Sequence, residues 1–400
     1  MPESSTQPLS LPIRHTIREL LHQRVTEVVE TVIEEELTEL LGSNRYERTG
    51  ERRGYRNGSS TRTLTTELGS REVTVPRARV VDASGQPQEF HSAILPRYAR
   101  RTKLVDDAIL GVYFAGANSR RIRKALAPLL GEANLSKSAI SRVVGRLKTQ
   151  FAAWCERDLS AEAYRILALD AIHLKVRLAR RVVSVPVLVV IGVDEAGDKR
   201  LLALRLAASE AAANWGGLIA DLIRRGLPSP ALLLCDGHKG LRKALQAWPE
   251  IRVQPCTQHK RENLKAACPA HARPEMLRDY AAIVDAKSGA AARTAYDAFL
   301  KKWRVLCPPV ARSLEEGGLD LLTFYEFPKP LWRSIRSTNA IENLNREFRR
   351  RTKTQGSFST EEAALTLLFG LVAFGQIRMR KINGHRHVAS LTLPGCRNVA

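Results

Sequence analysis

Apolar residues recur at helical spacing from Ile13 to Leu41. They include Ile17, Leu20, Leu21, Val25, Val28, Val29, Val32, Ile33, Leu37, Leu40 and Leu41, and Gly42 follows as a stop signal. The pattern predicts one long amphipathic helix that docks or dimerises. Its acidic run, Glu34 to Glu36, argues against a helix lying on a polyanion. Residues 1–12, with Pro2, Pro8, Pro12 and several Ser and Thr, are expected to be disordered. The period then changes. Between Ser43 and Arg101, short alternating apolar positions, turn residues and the pair Asn57-Gly58 predict strands and hairpins.

Helical spacing returns at 102–150. "NSRRIRKALAPLLGEANLSKSAISRVVGRLKTQ" predicts a helix near Ser119–Ala127, shortened by Pro128, then a turn with Gly131 and a second helix capped by Ser136. Ile140, Val143, Val144 and Leu147 form one apolar face, so Lys137, Ser138, Ser141, Arg142 and Arg146 point outward. This is the pattern of a helix-turn-helix, although two short helices joined by a glycine turn also occur in unrelated proteins. From Ala163, three strand-like runs ("YRILALDAIHLKV", "VVSVPVLVVIGVDEAG", "KRLLALRLAA") predict an antiparallel meander. A helix, a buried strand ending "LLLCDG", another helix and the strand "IRVQPC" follow. The expected core is therefore mixed α/β with an antiparallel edge. A helical stretch runs from Arg261 to about Leu322, and an apolar helix from Glu361 to Arg378.

Charge changes the picture. Lys and Arg total 63 against 41 Asp and Glu, a net of +22 in 400 residues. Such an excess costs self-repulsion and usually answers nucleic acid. The arginine-rich segment 43–101 holds twelve Arg against six acids, and Arg52, Arg53 and Arg56 beside Tyr55 are candidates to grip phosphates; a solvated linker is the plainer alternative. No apolar run approaches the roughly 20 residues of a membrane span, and no secretory signal is expected. Six scattered cysteines suit a reducing cytoplasm.

Candidate chemistry rests on carboxylates. Asp170 and Asp236 are each read at the end of a strand, where α/β ligand sites form. Two close carboxylates repel unless a hard cation lies between them, and a pair of such ions serves phosphodiester chemistry. Glu342, inside "SIRSTNAIENLNREFRRRTKTQG", is the candidate third acid. Its spacing alone favours a plainer role, as the third helical residue of a capping pair with Asn339 as N-cap; the two strand-end aspartates and the net charge shift the balance toward a metal ligand. On a helix, Glu342, Arg346, Arg349 and Lys353 share a face, with Arg350 nearby. Cys256-x2-His259 and Cys268-x2-His271 place four soft ligands within 16 residues, but Pro269 and the missing glycine disfavour zinc. His238 and His173, close in sequence to the two aspartates, are candidates for supporting contacts. Trp215 and Trp248 are read as core anchors.

"LALD", "LLLCDGHKGLRKALQAWPEIRVQPCTQH" and "IRSTNAIENLNREFRRRTKTQGSF", with "YERTGERRGYRNG" and "VTVPRAR" upstream, closely resemble the mutator-type transposases of bacterial insertion sequences, over roughly residues 20–385. The resemblance implies an RNase H-like mixed sheet core, an Asp-Asp-Glu triad mapping to Asp170, Asp236 and Glu342, and an all-helical insertion before the glutamate. The 106 positions from Asp236 to Glu342 leave room for it. Cys256 and His259 match the family's Cys-x2-His and are expected to support the active site with His238 and Asn339. Mg²⁺, for which Mn²⁺ can substitute, is the implied metal.

The expected organisation is a helical, dimerising segment (1–45), a basic β-rich segment (46–101), a helix-turn-helix (102–155), the catalytic core (160–258 and 331–385), the helical insertion (259–330) and a basic tail (386–400). The expected function is DNA transposition: binding terminal inverted repeats, nicking the element end and joining its 3′-OH to target DNA. Double-stranded DNA and a second copy of the chain are the expected partners, in the cytoplasm at the nucleoid. The alternatives are a non-catalytic DNA-binding protein, such as a repressor or decayed transposase, and an RNase H-like nuclease or resolvase.

Overall fold

The computed structural model describes residues 11–50, 52–82, 85–130, 135–236, 248 and 251–391. Residues 1–10 and the tail beyond 391 lie outside that set. Among the described residues there are two sheets and twelve α-helices, and the chain divides into two compact units, Met1–Gly145 and Arg146–Ala400. No helix among the described residues is long and apolar enough to cross a membrane.

In the first unit, α1 (Leu11–Leu41) ends at Gly42, whose φ is +65°. Its C-terminal half buries Ile33, Leu37 and Leu41 against Leu64, Val73, Val75 and Val80 of an antiparallel hairpin. The hairpin is β1 (Gly54–Thr66) and β2 (Gly69–Val81), with a short third strand, β3 (Pro87–Glu89). Acids of α1 bond to this sheet and the segment after it. Glu30 accepts from the Thr74 amide at 2.6 Å, and Glu36 from Ser92 Oγ at 2.6 Å and the Ala93 amide at 2.7 Å.

Asn57-Gly58 does not make the hairpin turn. It lies inside β1 at a register shift between Arg56 and Ser59, with Gly58 at φ +77°. Glycine supplies the left-handed residue a bulge needs as readily as it supplies one for a turn. The unit is completed by α2 (Lys103–Phe114), α3 (Ser119–Leu130) and the start of α4 (Lys137–Glu156). Pro128 does not end α3, which continues through it to Leu130. The proline's cost falls on the last turn, where buried Leu126 and Leu130 hold the helix in place. Ser136 Oγ accepts from the Ala139 amide at 3.1 Å at the start of α4, and Ile140, Val143 and Leu147 are buried. The turn at 131–134 lies outside the described residues.

The second unit is built on a five-stranded sheet: β4 (Tyr164–Leu178), β5 (Arg181–Asp194), β6 (Lys199–Leu206), β7 (Leu232–Cys235) and β8 (Arg252–Pro255). The spatial order is β6-β5-β4-β7-β8. The first three strands are an antiparallel meander, and β7 and β8 extend it in parallel on the other side of β4. Leu167, Leu169, Leu188, Val190 and Leu202 on one face pack with Trp215, Leu218, Ile219 and Leu222 of α5 (Ala212–Arg224); Trp248 joins this core.

After β8 comes a helical block: α6 (Thr257–Ala267), α7 (Arg273–Val284), α8 (Gly289–Leu306) and α9 (Pro308–Gly317), followed by 3₁₀ turns to Leu331. It has its own core around Met276, Tyr280, Phe299, Trp303 and Leu314. Buried Gln254 ties it to the sheet edge, donating to Leu321 O and accepting from the Phe324 amide. After the single turn α10 (Trp332–Ile335), α11 (Asn339–Lys353) and α12 (Glu361–Ala373) pack on the sheet face away from α5.

Candidate active site

Asp170 does not end its strand. It sits near the middle of β4, which continues to Leu178. The antiparallel partner β5 follows β4 over almost its whole length, from Tyr164↔Asp194 to Leu178↔Arg181. The parallel partner β7 is only four residues long and leaves β4 after Ala168. Asp170 therefore lies just past the end of β7, and Asp236 directly follows β7. A short neighbour, not a strand end, makes the opening. Farther on, residue 358 covers the exposed edge of β4: the Arg177 amide donates to Phe358 O at 2.9 Å and the Phe358 amide to Lys175 O at 2.8 Å.

The opening is closed by α11. Ile341, Leu344, Asn345, Phe348 and Thr352 form its buried stripe. Asn345 is the polar member of that stripe nearest the opening, and its Nδ2 donates to Asp170 Oδ2 at 2.6 Å. Asp170 also accepts from the Ala171 amide at 2.8 Å. Burial raises its pKa against these two hydrogen bonds, and the negative charge of Asp236 raises it further.

Glu342, three residues before Asn345, is partly buried. Thr338, not Asn339, is the N-cap of α11, and Asn339 is an exposed first helical residue. Thr338 Oγ1 donates to Glu342 Oε1 at 2.7 Å. The cap falls one residue earlier because the fully buried Thr338 is held in place, its amide donating to Cys256 Sγ at 3.4 Å.

Cys256 and His259 sit at the junction of β8 and α6. One ligand atom from each, and one from Glu342, all lie within 4.8 Å of one another. Asp170 and Asp236 are not part of that tight trio. Burial would raise the Cys256 thiol, but hydrogen bonds from His259 and Thr338 outweigh it and hold the thiol below its ordinary range. The partner effect is larger. Bonding to Cys256 raises His259 to about 9 against the opposing effect of burial, with Asp236 and Glu342 adding to the rise. His259 Nδ1 and Asn345 Oδ1 are buried atoms without a hydrogen-bond partner of ordinary geometry. The site thus sets the cationic His259 near the charges of Asp170, Asp236 and Glu342, with Cys256, Thr338 and Asn345 holding its members in place.

Several residues singled out in the sequence fall elsewhere. His173 projects from the opposite face of β4 to Asp170, with Nε2 3.6 Å from Glu210. His238 lies outside the described residues. Cys268 is buried in the helical block and His271 is exposed, so the two Cys-x2-His pairs do not converge on one ligand set. Arg56 is not a free cation: it is paired with Glu34 and donates to Thr38 Oγ1 at 2.9 Å. Arg52 donates to Gly54 O at 2.8 Å and lies over the Tyr55 ring, while Arg53 is exposed. Lys137, Ser138, Ser141 and Arg142 are exposed on α4. On α11, Arg346, Arg349, Arg350 and Lys353 are exposed, with Arg350 paired to Glu347 at 2.6 Å. Asn345 and Thr338 were missed in the sequence. A polar residue on the apolar stripe Ile341-Leu344-Phe348 was the available signal for Asn345.

Comparison with known proteins gives this geometry a family. The model of "Transposase, Mutator family" matches residues 4–376. The transposase for insertion sequence element IS406 of Burkholderia multivorans is 33% identical over 335 residues, covering 83% of this chain and 84% of that protein. The transposase for insertion sequence element IS1081 of Mycobacterium tuberculosis is 34% identical over 333 residues, covering 83% and 79%. Among solved structures, the Drosophila P element transposase strand transfer complex aligns over 77% of this chain and 85% of that one, at 10% identity and a TM-score of 0.28, too distant to carry an argument. The chain belongs to the mutator family of transposases.

Proposed function

We propose that the protein is a DNA transposase that binds the terminal inverted repeats of an insertion sequence, cleaves the element ends and joins the 3′-OH to target DNA. Its catalytic residues in this reading are Asp170, Asp236 and Glu342, on an RNase H-like core. One observation carries the reading. The sheet order β6-β5-β4-β7-β8 sets Asp170 on the central strand just past its short parallel neighbour, Asp236 at the end of that neighbour, and α11 across the same face, hydrogen-bonded to Asp170.

The donor set suits a hard cation: three carboxylates, with Asp170 partly buried near the like charge of Asp236. Held by Asp170, Asp236 and Glu342, Mg²⁺ or Mn²⁺ would supply Lewis-acid polarisation of the scissile phosphate and a more acidic bound water. The chain's own groups do the rest. Asn345 fixes one oxygen of Asp170, and Thr338 fixes one oxygen of Glu342. The His259 imidazolium keeps a positive charge beside the carboxylates, and Cys256 keeps it charged. The Cys256 sulfur is engaged by the Thr338 amide and His259, and in this reading the trio with Glu342 braces the site.

In the first unit, the exposed Lys137, Ser138, Ser141 and Arg142 of α4 would meet the terminal repeats as the second helix of a helix-turn-helix, with Arg53 on phosphate. Joining needs two ends held together, so the working form would be at least a dimer.

The test is Glu342→Gln, which keeps an acceptor for Thr338 but removes the charge. Cleavage of a labelled element end should fall on the order of 10²-fold or more, with DNA affinity and melting temperature unchanged. Retained cleavage refutes the catalytic assignment. Loss of binding and stability together would instead make Glu342 a structural residue.

A further inference from the structure

Beside the active site the second unit carries a basic trough that the catalytic carboxylates do not use. One wall is the exposed side of α11 at Ala340, Asn343 and Arg346. The other is an irregular strap, residues 376–383, bearing Arg378 and Arg380. Two hollows of about 480 and 290 Å³ share Lys199, Ala340, Asn343 and Arg380, and so form one channel. Lys199, the first residue of β6, lines both hollows, and Arg333 lines the smaller one.

The strap is not a loose end. The Ile382 amide donates to Gly197 O at 3.2 Å, and Lys381 Nζ reaches Ala196 O at 3.1 Å and Asp198 at 3.2 Å. Ser334 Oγ donates to Asn383 O at 2.8 Å. Gly384 turns at φ +76°, so close to the chain that a Cβ there would lie 2.4 Å from Pro330 O. These anchors fasten the strap to the β5–β6 turn and to the residues before α11, and set its arginines opposite Arg346.

The charges in the trough are unmatched. The side chains of Arg333, Arg346, Arg378, Arg380 and Lys199 make no hydrogen bond or ion pair among the described residues. Lys199 is half-buried, and burial alone lowers its pKa. The acid lining the trough, Glu347, is occupied by Arg350. Desolvating or crowding cations without a counter-charge costs folding free energy, so such a cluster marks an anion that arrives from outside. No aromatic ring lines it, which favours phosphates over stacked bases.

We propose that this trough seats the phosphate backbone of one DNA strand leaving the active site, gripped by charge and blind to base sequence. The inference rests on the transposase reading of the neighbouring site. Arg346 lies one turn after Glu342 on the same edge of α11, so a strand held at the carboxylates reaches the trough within one helical turn.

The test uses the full chain with Lys199→Gln and Arg380→Ala together. Affinity is measured for a duplex carrying the element end and for an unrelated duplex of equal length, across a salt series. The plot of log K against log salt should become shallower by about 1.8, which is about 0.9 for each phosphate no longer neutralised, equally for both duplexes. An unchanged slope in a protein of unchanged melting temperature overturns the proposal, and so does a weakening confined to the element-end duplex. Should the double variant melt early, Arg378→Ala with Arg380→Ala replaces only exposed side chains and is judged by the same slope. Cleavage by Glu342→Gln decides the catalytic reading separately, because that variant should keep the wild-type slope.

Discussion

The two units treat charge in opposite ways. In the first, the cations of the β-sheet are largely spent internally. Arg56 is locked to Glu34 and Thr38, Arg71 to Glu19, and Arg62 donates to the carbonyls of Leu95, Pro96, Arg97 and Ala99. The second also pairs many of its charges, but beside its candidate site Lys199 and four arginines line a trough without partners, and Asp170 is partly buried near another carboxylate. The arginine-rich segment 43–101, read alone, would have ranked the first unit as the stronger phosphate grip. The pairing of those arginines points instead to the second. A matched charge serves stability and an unmatched one serves a ligand, so the two kinds of residue should respond to neutralisation with opposite signs.

The largest effect is expected at Arg56. Arg56→Ala leaves Glu34 and Thr38 without their partner and should destabilise the first unit by about 2 kcal/mol, lowering its melting transition by several degrees with little change in DNA affinity. A variant that melts normally but binds DNA poorly would reverse the comparison.

Asp170→Asn should act the other way. Asn345 Oδ1 is unpartnered, so the amide of Asn345 can turn to accept from the new side chain. Removing the desolvated charge should stabilise the metal-free protein at neutral pH and raise its melting temperature, while cleavage is lost. The pH dependence follows from the raised pKa. Below the ordinary aspartate value the group is protonated folded or unfolded, and carries no penalty. Above its raised value the full cost of the desolvated anion is present. The stability gained by the variant should therefore appear as pH rises through that window and be absent in acid. Calorimetry at several pH values measures it.

His259 carries the opposite sign. Its pKa is raised to about 9, so its contribution is complete below about 6.5 and is lost as pH climbs through about 9. Cys256→Ser removes the largest cause, and the decline in melting temperature between about pH 7 and 9 should flatten. An unchanged profile would mean that the carboxylates, not Cys256, hold the imidazolium.

The smallest stability change is expected at Lys199. Lys199→Met should shift stability by well under about 1 kcal/mol, in the favourable direction, because the amine has no partner to lose. Its salt slope for DNA binding should become shallower by about 0.9, the value for one neutralised phosphate. A marked loss of stability would show that the lysine is matched after all.

Much of this was legible in the sequence, for stated reasons. The long helix α1 and its end at Gly42 follow from periodicity, and the three strands of the meander from alternating and apolar runs. The family resemblance singled out Asp170, Asp236 and Glu342 before their neighbours were known. What could not be read depended on partners distant in sequence. Arg56 looked like a phosphate ligand because Glu34 is 22 positions away. Asp170 looked like a strand end because the shortness of β7 matters only once β7 is paired with β4. Asn57-Gly58 has the chemistry of a turn and of a bulge alike, and only register separates them. The apolar run predicts a helix on to Arg378, but it ends at Ala373, so the strap at 376–383 and its role as a wall were invisible until its anchors at Gly197 and Ser334 were placed.

The central claim is that Asp170, Asp236 and Glu342 meet one metal-dependent reaction, and an Asp236→Cys variant tests it most directly. A thiolate is a poor ligand for Mg²⁺ and a better one for Mn²⁺. End cleavage by this variant should be lost in Mg²⁺ and regained in Mn²⁺, with DNA binding and melting temperature as in the wild type. Full activity in Mg²⁺ would contradict the account, as would no recovery in Mn²⁺ by a folded, DNA-binding protein.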